Sequence, residues 1–168
     1  LVPVTFRAAG TSLSGQAISD SVLILLSEQW RQTDVLDEGE RIRLQPGVIG
    51  AYANQILAPY KRKIGPDPAS IATCKIGGIA ANNASGMCCG VKHNSYHTME
   101  HMTFVLADGT RVDTTDARSV KQFYRKHDGL VSAIRRLRAD VCADEVLTER
   151  IRHQYRFKNT LGYGLNAL

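Results

Sequence analysis

Apolar and polar positions change their period along this chain, and each change marks an element. Residues 4–8 alternate and stop at Ala9-Gly10, the pattern of a strand running straight into a loop. Residues 22–26, Val-Leu-Ile-Leu-Leu, are continuously apolar and of strand length, which predicts a strand buried on both faces. The charged stretch from Asp34 to Arg43 reads as hairpin-like with Gly39 at its turn, and Arg41-Ile42-Arg43-Leu44 alternates toward Pro46-Gly47. From Ile49 the period lengthens. Ile49, Ala53, Ile56, Leu57 and Tyr60 recur at helical spacing, with Pro59 and Gly65 as punctuation. Residues 102–106 and 110–112 flank Asp108-Gly109, a strong hairpin signal. Thr115 or Asp116 is placed to cap a helix carrying Val120, Phe123 and Tyr124. Asp128-Gly129 interrupts it, and Leu130, Ile134, Leu137 and Val141 then trace a second apolar stripe. A third helix is expected over residues 144–155. These stripes are expected to be core. The pattern predicts an α+β chain with a βαβ-like first half and a loop-rich second half ending in a hairpin and helices, the boundary falling at residues 63–65.

One stretch follows no period. Residues 65–86, Gly-Pro-Asp-Pro-Ala-Ser-Ile-Ala-Thr-Cys-Lys-Ile-Gly-Gly-Ile-Ala-Ala-Asn-Asn-Ala-Ser-Gly, are dominated by small side chains, and between Lys75 and Glu100 only Lys92 is charged. Such a loop cannot build a core of its own. It offers backbone N–H groups, glycines able to take φ > 0, and short amides and hydroxyls. Those groups suit a polar ligand, above all a diphosphate. A shorter loop of the same kind, Arg7-Ala8-Ala9-Gly10-Thr11-Ser12-Leu13-Ser14-Gly15-Gln16, follows the first strand. It combines one cation, hydroxyls and several amides in a tight curve, and hydrogen bonds to charged groups contribute about 1.5–3 kcal/mol each. The plainer interpretation of that loop is a Gly- and Ser-rich turn, but two such loops in one small chain point to a nucleotide cofactor.

Composition narrows this reading only a little. A chain of 168 residues can bury about 70% of its unfolded surface, and no apolar run is long enough to span a membrane. The net charge of +5 and pI near 9.2 favour anionic ligands in general. Much of the excess lies at Arg135, Arg136, Arg138, Arg150, Arg152, Arg156 and Lys158, which reads as solvated helix surface. Aromatics are not interleaved there as stacking platforms, so no nucleic-acid partner is expected. Cys74, Cys88, Cys89 and Cys142 make a poor disulfide framework, which suggests a reducing, cytoplasmic setting. Residue 1 lies mid-strand with no signal-peptide layout, so the chain reads as a fragment of a longer protein.

Other motifs compete less well. No G-x-x-x-x-G-K-[ST] phosphate loop is present. Gly162-Tyr163-Gly164-Leu165-Asn166-Ala167 formally matches G-x-G-x-x-A, but no strand pattern precedes it. His93, His97 and His101 would share one face of a helix at i, i+4, i+8, with Cys88 and Cys89 just upstream. A non-catalytic metal- or anion-binding module built on that cluster is therefore the alternative. Asn94, Ser95, Tyr96 and Thr98 would make such a helix weak.

With these motifs in order, the chain resembles the flavin-binding domain of the FAD-linked oxidases, the fold shared with vanillyl-alcohol oxidase and p-cresol methylhydroxylase. The resemblance rests on RAAGTSLSGQ, GPDPAS, CKIGGIAANNASG and VLADG, and it covers nearly the whole chain. Within the family it is most similar to D-lactate and D-2-hydroxyglutarate dehydrogenases. The spelling Gly86-Met87-Cys88-Cys89-Gly90 and the tail from Lys158 to Leu168 resemble the large bacterial members that also carry an iron–sulfur domain. The resemblance implies a two-lobed FAD-binding domain, its first lobe over residues 1–64 and its second over 65–168, continuing beyond the chain. It implies that Arg7, Ala8, Ala9, Gly10, Thr11, Ser12, Leu13, Ser14, Gly15 and Gln16 wrap the FAD pyrophosphate. Pro66, Ala69, Ser70, Cys74, Ile76, Gly77 and Gly78 would run beside the flavin ring and ribityl chain. Asn82, Asn83, Ser85 and Gly86 would close over the ribityl and phosphate region, with Val105 flanking the adenine end. The implied activity is oxidation of a D-2-hydroxy acid with electrons passing to a separate acceptor, the association with membranes being peripheral at most. Catalytic groups are expected in a later cap domain. Two departures stand out: Met87-Cys88-Cys89-Gly90-Val91-Lys92-His93-Asn94 replaces a basic stretch ending Lys-Tyr-Gly, and the first loop lacks the His that binds flavin covalently in some relatives. The FAD is accordingly expected to be non-covalent.

Overall fold

The computed structural model describes residues 2–86, 90–157 and 164–168. Its packing divides the chain into two compact units, Leu1–Thr98 and Met99–Leu168. Residues 64 and 65, where the sequence suggests a boundary between lobes, lie inside the first unit.

In the first unit, β1 (Val4–Arg7) and β2 (Val22–Leu25) pair in parallel, with Val4 opposite Val22 and Phe6 opposite Ile24. Residues 8–21 connect the two strands through turns and bends with no helix, so the ribbon is not a βαβ unit. Nor is β2 buried on both faces, since Val22, Ile24 and Leu25 are 45%, 39% and 59% exposed. The physical reason is that the ribbon has two strands only, and among the described residues no third strand joins it. The charged hairpin forms as expected from β3 (Thr33–Leu36) and β4 (Arg41–Leu44), antiparallel, with Val35 opposite Ile42. Helix α1 (Gly50–Leu57) extends into a 3-10 turn over Ala58–Tyr60, so the helical period from residue 49 is matched nearly to its end. Its buried Ala53 and Leu57 join Val48, Cys74 and Ile79 as the core of this unit.

The small-residue stretch is not a continuous loop. Residues Ile76–Ala81 form α2, and Ser95–Thr98 form the single turn α3. Helix α2 forms because tertiary contacts override weak propensity. Ile79 is buried, and Gly77 lets the backbone close on Pro46, whose carbonyl accepts the Gly77 N–H at 2.9 Å.

In the second unit, β5 (Thr103–Val105) and β6 (Arg111–Asp113) form the expected antiparallel hairpin around Asp108-Gly109. Three helices follow: α4 (Ala117–Lys126), α5 (Asp128–Ala143) and α6 (Glu145–Gln154). Asp116, one of the two expected caps, accepts the Arg118 N–H at 2.8 Å, and Asp144 accepts the Leu147 N–H at 2.9 Å. Phe123 packs edge-on against Phe104 with ring centroids 6.2 Å apart. The stripe on α5 is not core. Leu130, Ile134 and Leu137 are 45%, 49% and 48% exposed, and the buried residue of this helix is Val131. Helix α5 turns Val131, not the stripe, into the packed interior of the unit. Among the described residues no helix is long and apolar enough to cross a membrane.

Candidate functional site

In the first unit, the first loop and residues 75–78 of the second stretch lie at the carboxyl ends of the parallel strands β1 and β2, the edge where parallel sheets characteristically take ligands. Arg7 closes β1, and its carbonyl accepts the Leu26 N–H at 2.9 Å. Ala8 to Gln16 continue from it as the first loop, half-buried as far as Gly10 and exposed from Thr11 to Gln16. Gly10 sits at φ 70°, and a Cβ there would collide with the Arg7 guanidinium, which folds back over it. Among the described residues the N–H groups of Ala9, Gly10, Thr11, Ser12 and Leu13 donate no hydrogen bond within the chain, and Arg7 forms no ion pair. From Ala8 to Ser19 the chain carries no charge at all. The result is a curve of open amides and one cation with no competing carboxylate, an arrangement suited to an anion. Two loop side chains are occupied otherwise: the Ser12 hydroxyl donates to Gln16 Oε1, and the Ser14 N–H leans on Ser12 Oγ at 3.4 Å.

The second stretch contributes differently. Gly78 lies against the first loop, where a Cβ on it would stand 3.6 Å from Ala8 Cβ. The structure therefore brings Gly78 of the second stretch to Ala8 at the start of the first. Several amides expected to face a ligand are spent inside the protein. The Cys74 N–H donates to Ser70 O at 2.8 Å, Ile76 to Val48 O at 2.9 Å and Gly77 to Pro46 O at 2.9 Å. Asn82, Asn83 and Ala84 likewise donate to carbonyls of α2, at 3.4, 3.4 and 2.9 Å. Pro66 is buried, Ser70 half-buried and Ala69 exposed. Cys74 is 5% exposed, and burial pushes its thiol above the ordinary range against a weaker opposing bond with Ser70. It behaves as a small apolar side chain.

At the end of the stretch, Asn82 is exposed, whereas Asn83 Oδ1 accepts the Tyr96 N–H at 3.1 Å and so holds the start of α3. Ser85 is buried, and Gly86 passes so close to Asp67 that any Cβ would overlap its carbonyl. A side chain at 86 would have to push the residue 66–68 segment away. Val105 is 65% exposed on β5 in the second unit.

Two residues absent from the sequence-based set matter here. Lys75 Nζ donates to the Leu26 carbonyl from a half-buried position. Its signal was in the sequence, for Lys75 is the one charge between Asp67 and Lys92. Asn94, 6% exposed, accepts from both the His97 N–H at 3.1 Å and the His97 ring at 2.8 Å, and no pattern in the sequence distinguishes it.

The metal alternative fares differently. Of its three histidines only His97 lies in a helix, and that helix has four residues, so no i, i+4, i+8 face exists. Among the described residues no group of three His, Cys, Asp or Glu side chains is placed to hold a metal ion. Cys88, Cys89 and Gly162 lie outside the described residues.

A family profile described as an FAD binding domain matches residues 1–115. The glycolate oxidase subunit GlcD of Escherichia coli K12 is 41% identical over 90 residues, which are 52% of this chain and 18% of that protein. The D-2-hydroxyglutarate dehydrogenase of Haemophilus influenzae is 28% identical over 120 residues, 71% of this chain and 12% of that protein. That of Pseudomonas putida KT2440 is 27% identical over 113 residues, 66% of this chain and 11% of that protein. The aligned stretches thus span less than a fifth of the curated relatives. No solved structure matches the chain. The profile covers more than half of the chain, including both loops that meet at Ala8 and Gly78, and the chain belongs to the FAD-binding domain family.

Proposed function

We propose that this chain supplies the diphosphate-binding part of the FAD site in a flavoenzyme that oxidises a 2-hydroxy acid. The observation that carries this reading is the curve of unbonded amides from Ala9 to Leu13, folded beside Arg7 with no carboxylate near it in sequence. These groups fit a dianionic diphosphate, which demands several N–H donors and positive charge in one place. When bound, FAD would supply the hydride-accepting chemistry for oxidation at the substrate's α-carbon, and the protein would contribute binding, orientation and electrostatics. Arg7 and the first loop hold the diphosphate. Gly78, Ser70 and the turn at Asn82 and Ser85 border the ribityl side, and Gly86 keeps the chain pressed to Asp67 so that the turn stays closed.

Residues 1–64 and 65–168 correspond in this reading to the two lobes of a p-cresol methylhydroxylase-type domain, with Val105 near the adenine. The substrate class comes from relatives whose names specify glycolate and D-2-hydroxyglutarate, both 2-hydroxy acids. D-lactate belongs to the same class. The electron acceptor is a separate partner.

The test is an equilibrium titration with FAD followed by flavin fluorescence, beside the Arg7→Gln variant. Saturable binding, competed by ADP and weakened about tenfold or more in the variant, is expected from the loss of one charged hydrogen-bonding group. A protein that binds no FAD, or a variant that binds it as tightly, would overturn the assignment.

A further inference from the structure

We infer that Lys75 is a positioning residue for the anion-binding loop, an inference that rests on the FAD reading above. The ribbon β1–β2 that launches this loop is poorly supported, with Val4, Phe6, Val22 and Ile24 all exposed. A bare pair of strands is marginal in water, so its carboxyl end needs an anchor if the loop is to hold one shape. Lys75 supplies it. The Leu26 peptide is gripped on both sides: its N–H donates to the Arg7 carbonyl at 2.9 Å, and its C=O accepts from Lys75 Nζ. Arg7 is the first residue of the loop, so the ammonium stands one peptide away from the loop's origin.

The other end of the strut is rigid. Residue 75 bridges Ile49, its neighbour Cys74 is buried, and Gly50 N–H donates to Cys74 O at 3.0 Å. Ile76 and Gly77 are tied to Val48 and Pro46, and Val48 is wholly buried. Leu26 also closes on Gly77, where a Cβ would lie 3.4 Å from Leu26 Cδ1. Lys75 therefore transmits the order of the packed core to the strand end from which the loop departs. Among the described residues it pairs with no carboxylate, so its charge stays uncompensated at the edge where Arg7 also lies. An ammonium carries three donors, and the carbonyl uses one. Helix α2 has six residues and provides no anion site of its own, which leaves Arg7 and the loop amides as the binding groups that Lys75 positions.

The experiment compares FAD, ADP and riboflavin binding by the wild-type chain, Lys75→Met and Lys75→Arg. Lys75→Met is expected to weaken FAD and ADP by the same factor, about 10- to 100-fold for the loss of a charged hydrogen bond, and to leave riboflavin, which has no phosphate, unchanged. Lys75→Arg is expected to stay within threefold of wild type. Equal loss of all three ligands would show a merely structural role and overturn the inference, as would unchanged FAD binding by Lys75→Met. Should Lys75→Met fail to fold, the ¹⁵Nζ resonance of Lys75 in the wild-type chain decides. It is expected to exchange with solvent more slowly than the surface lysines before and after FAD is added, and free exchange in both states overturns the inference. A wild-type chain that takes up no FAD removes the cofactor reading itself, whereas FAD binding that ignores residue 75 removes only this role.

Discussion

Asn83 sits at φ 51°, in the left-handed region that Asn tolerates better than most residues, while its side-chain oxygen holds the Tyr96 N–H. Replacing it by Ala removes the acceptor and leaves a Cβ residue in a strained conformation. The Asn83→Ala variant is expected to lose about 1–2 kcal/mol of stability in urea unfolding, and Asn82→Ala, at an exposed position, close to none. Equal effects at the two positions would refute this division of labour. The sequence marked both amides of the pair as groups that close over a ligand. Which of the two faces inward was not legible, because that depends on where Tyr96 arrives from further along the chain. Gly10 is the local counterpart: a glycine in a loop after a strand predicts φ > 0, and the guanidinium folded over it is that of the nearby Arg7.

Among the elements, α5 carries the sharpest energetic contrast. Val131 is 8% exposed and Ile134 49%, although both are apolar and one turn apart. Val131→Ala is expected to cost about 2 kcal/mol and Ile134→Ala less than about 1, read as shifts in the unfolding free energy of the second unit. The hairpin β5–β6 adds a pH dependence. The Asp108 carboxyl is held well below the usual carboxylate range by the Thr110 backbone N–H at 2.9 Å, then by the Thr110 hydroxyl and Lys126 Nζ at 3.0 Å. Asp113 is lowered in the same direction, first by the Thr115 hydroxyl. A depressed folded value means that the unfolded chain takes up the proton first. The stability these carboxylates contribute is therefore full above the unfolded value of about 3.9 and is lost as pH falls from there toward the lower folded values. The melting temperature of the second unit should stay level from pH 7 to 5 and fall below about pH 4, less steeply in Asp108→Asn. An unchanged slope in that variant would exclude Asp108 as a contributor.

At the scale of the molecule, the family match runs through the whole first unit and across the β5–β6 hairpin of the second. The first loop contains no His, the residue that the family resemblance implies for covalent flavin attachment in some relatives. Acid precipitation of the flavin-loaded protein is expected to leave all flavin in the supernatant, and flavin pelleting with the chain would contradict this. The aligned stretches are 11–18% of the relatives' own lengths, so this chain corresponds to a small part of each of them.

The sequence by itself determined the strands and hairpins, the helices α1, α4, α5 and α6, the acidic cap of α4 and the two small-residue stretches, because period, turn chemistry and capping act within a few residues. The tertiary structure decided which surfaces are buried and which amides stay open. It folded residues 76–81 into a helix, spent the amides of Cys74, Ile76 and Gly77 on the core, left those of Ala9 to Leu13 unbonded, and left the apolar faces of β2 and α5 half in solvent. Burial and hydrogen-bond partnership depend on segments far apart along the chain, such as Lys75 reaching Leu26, and no local pattern encodes which distant carbonyl an amide or ammonium will find.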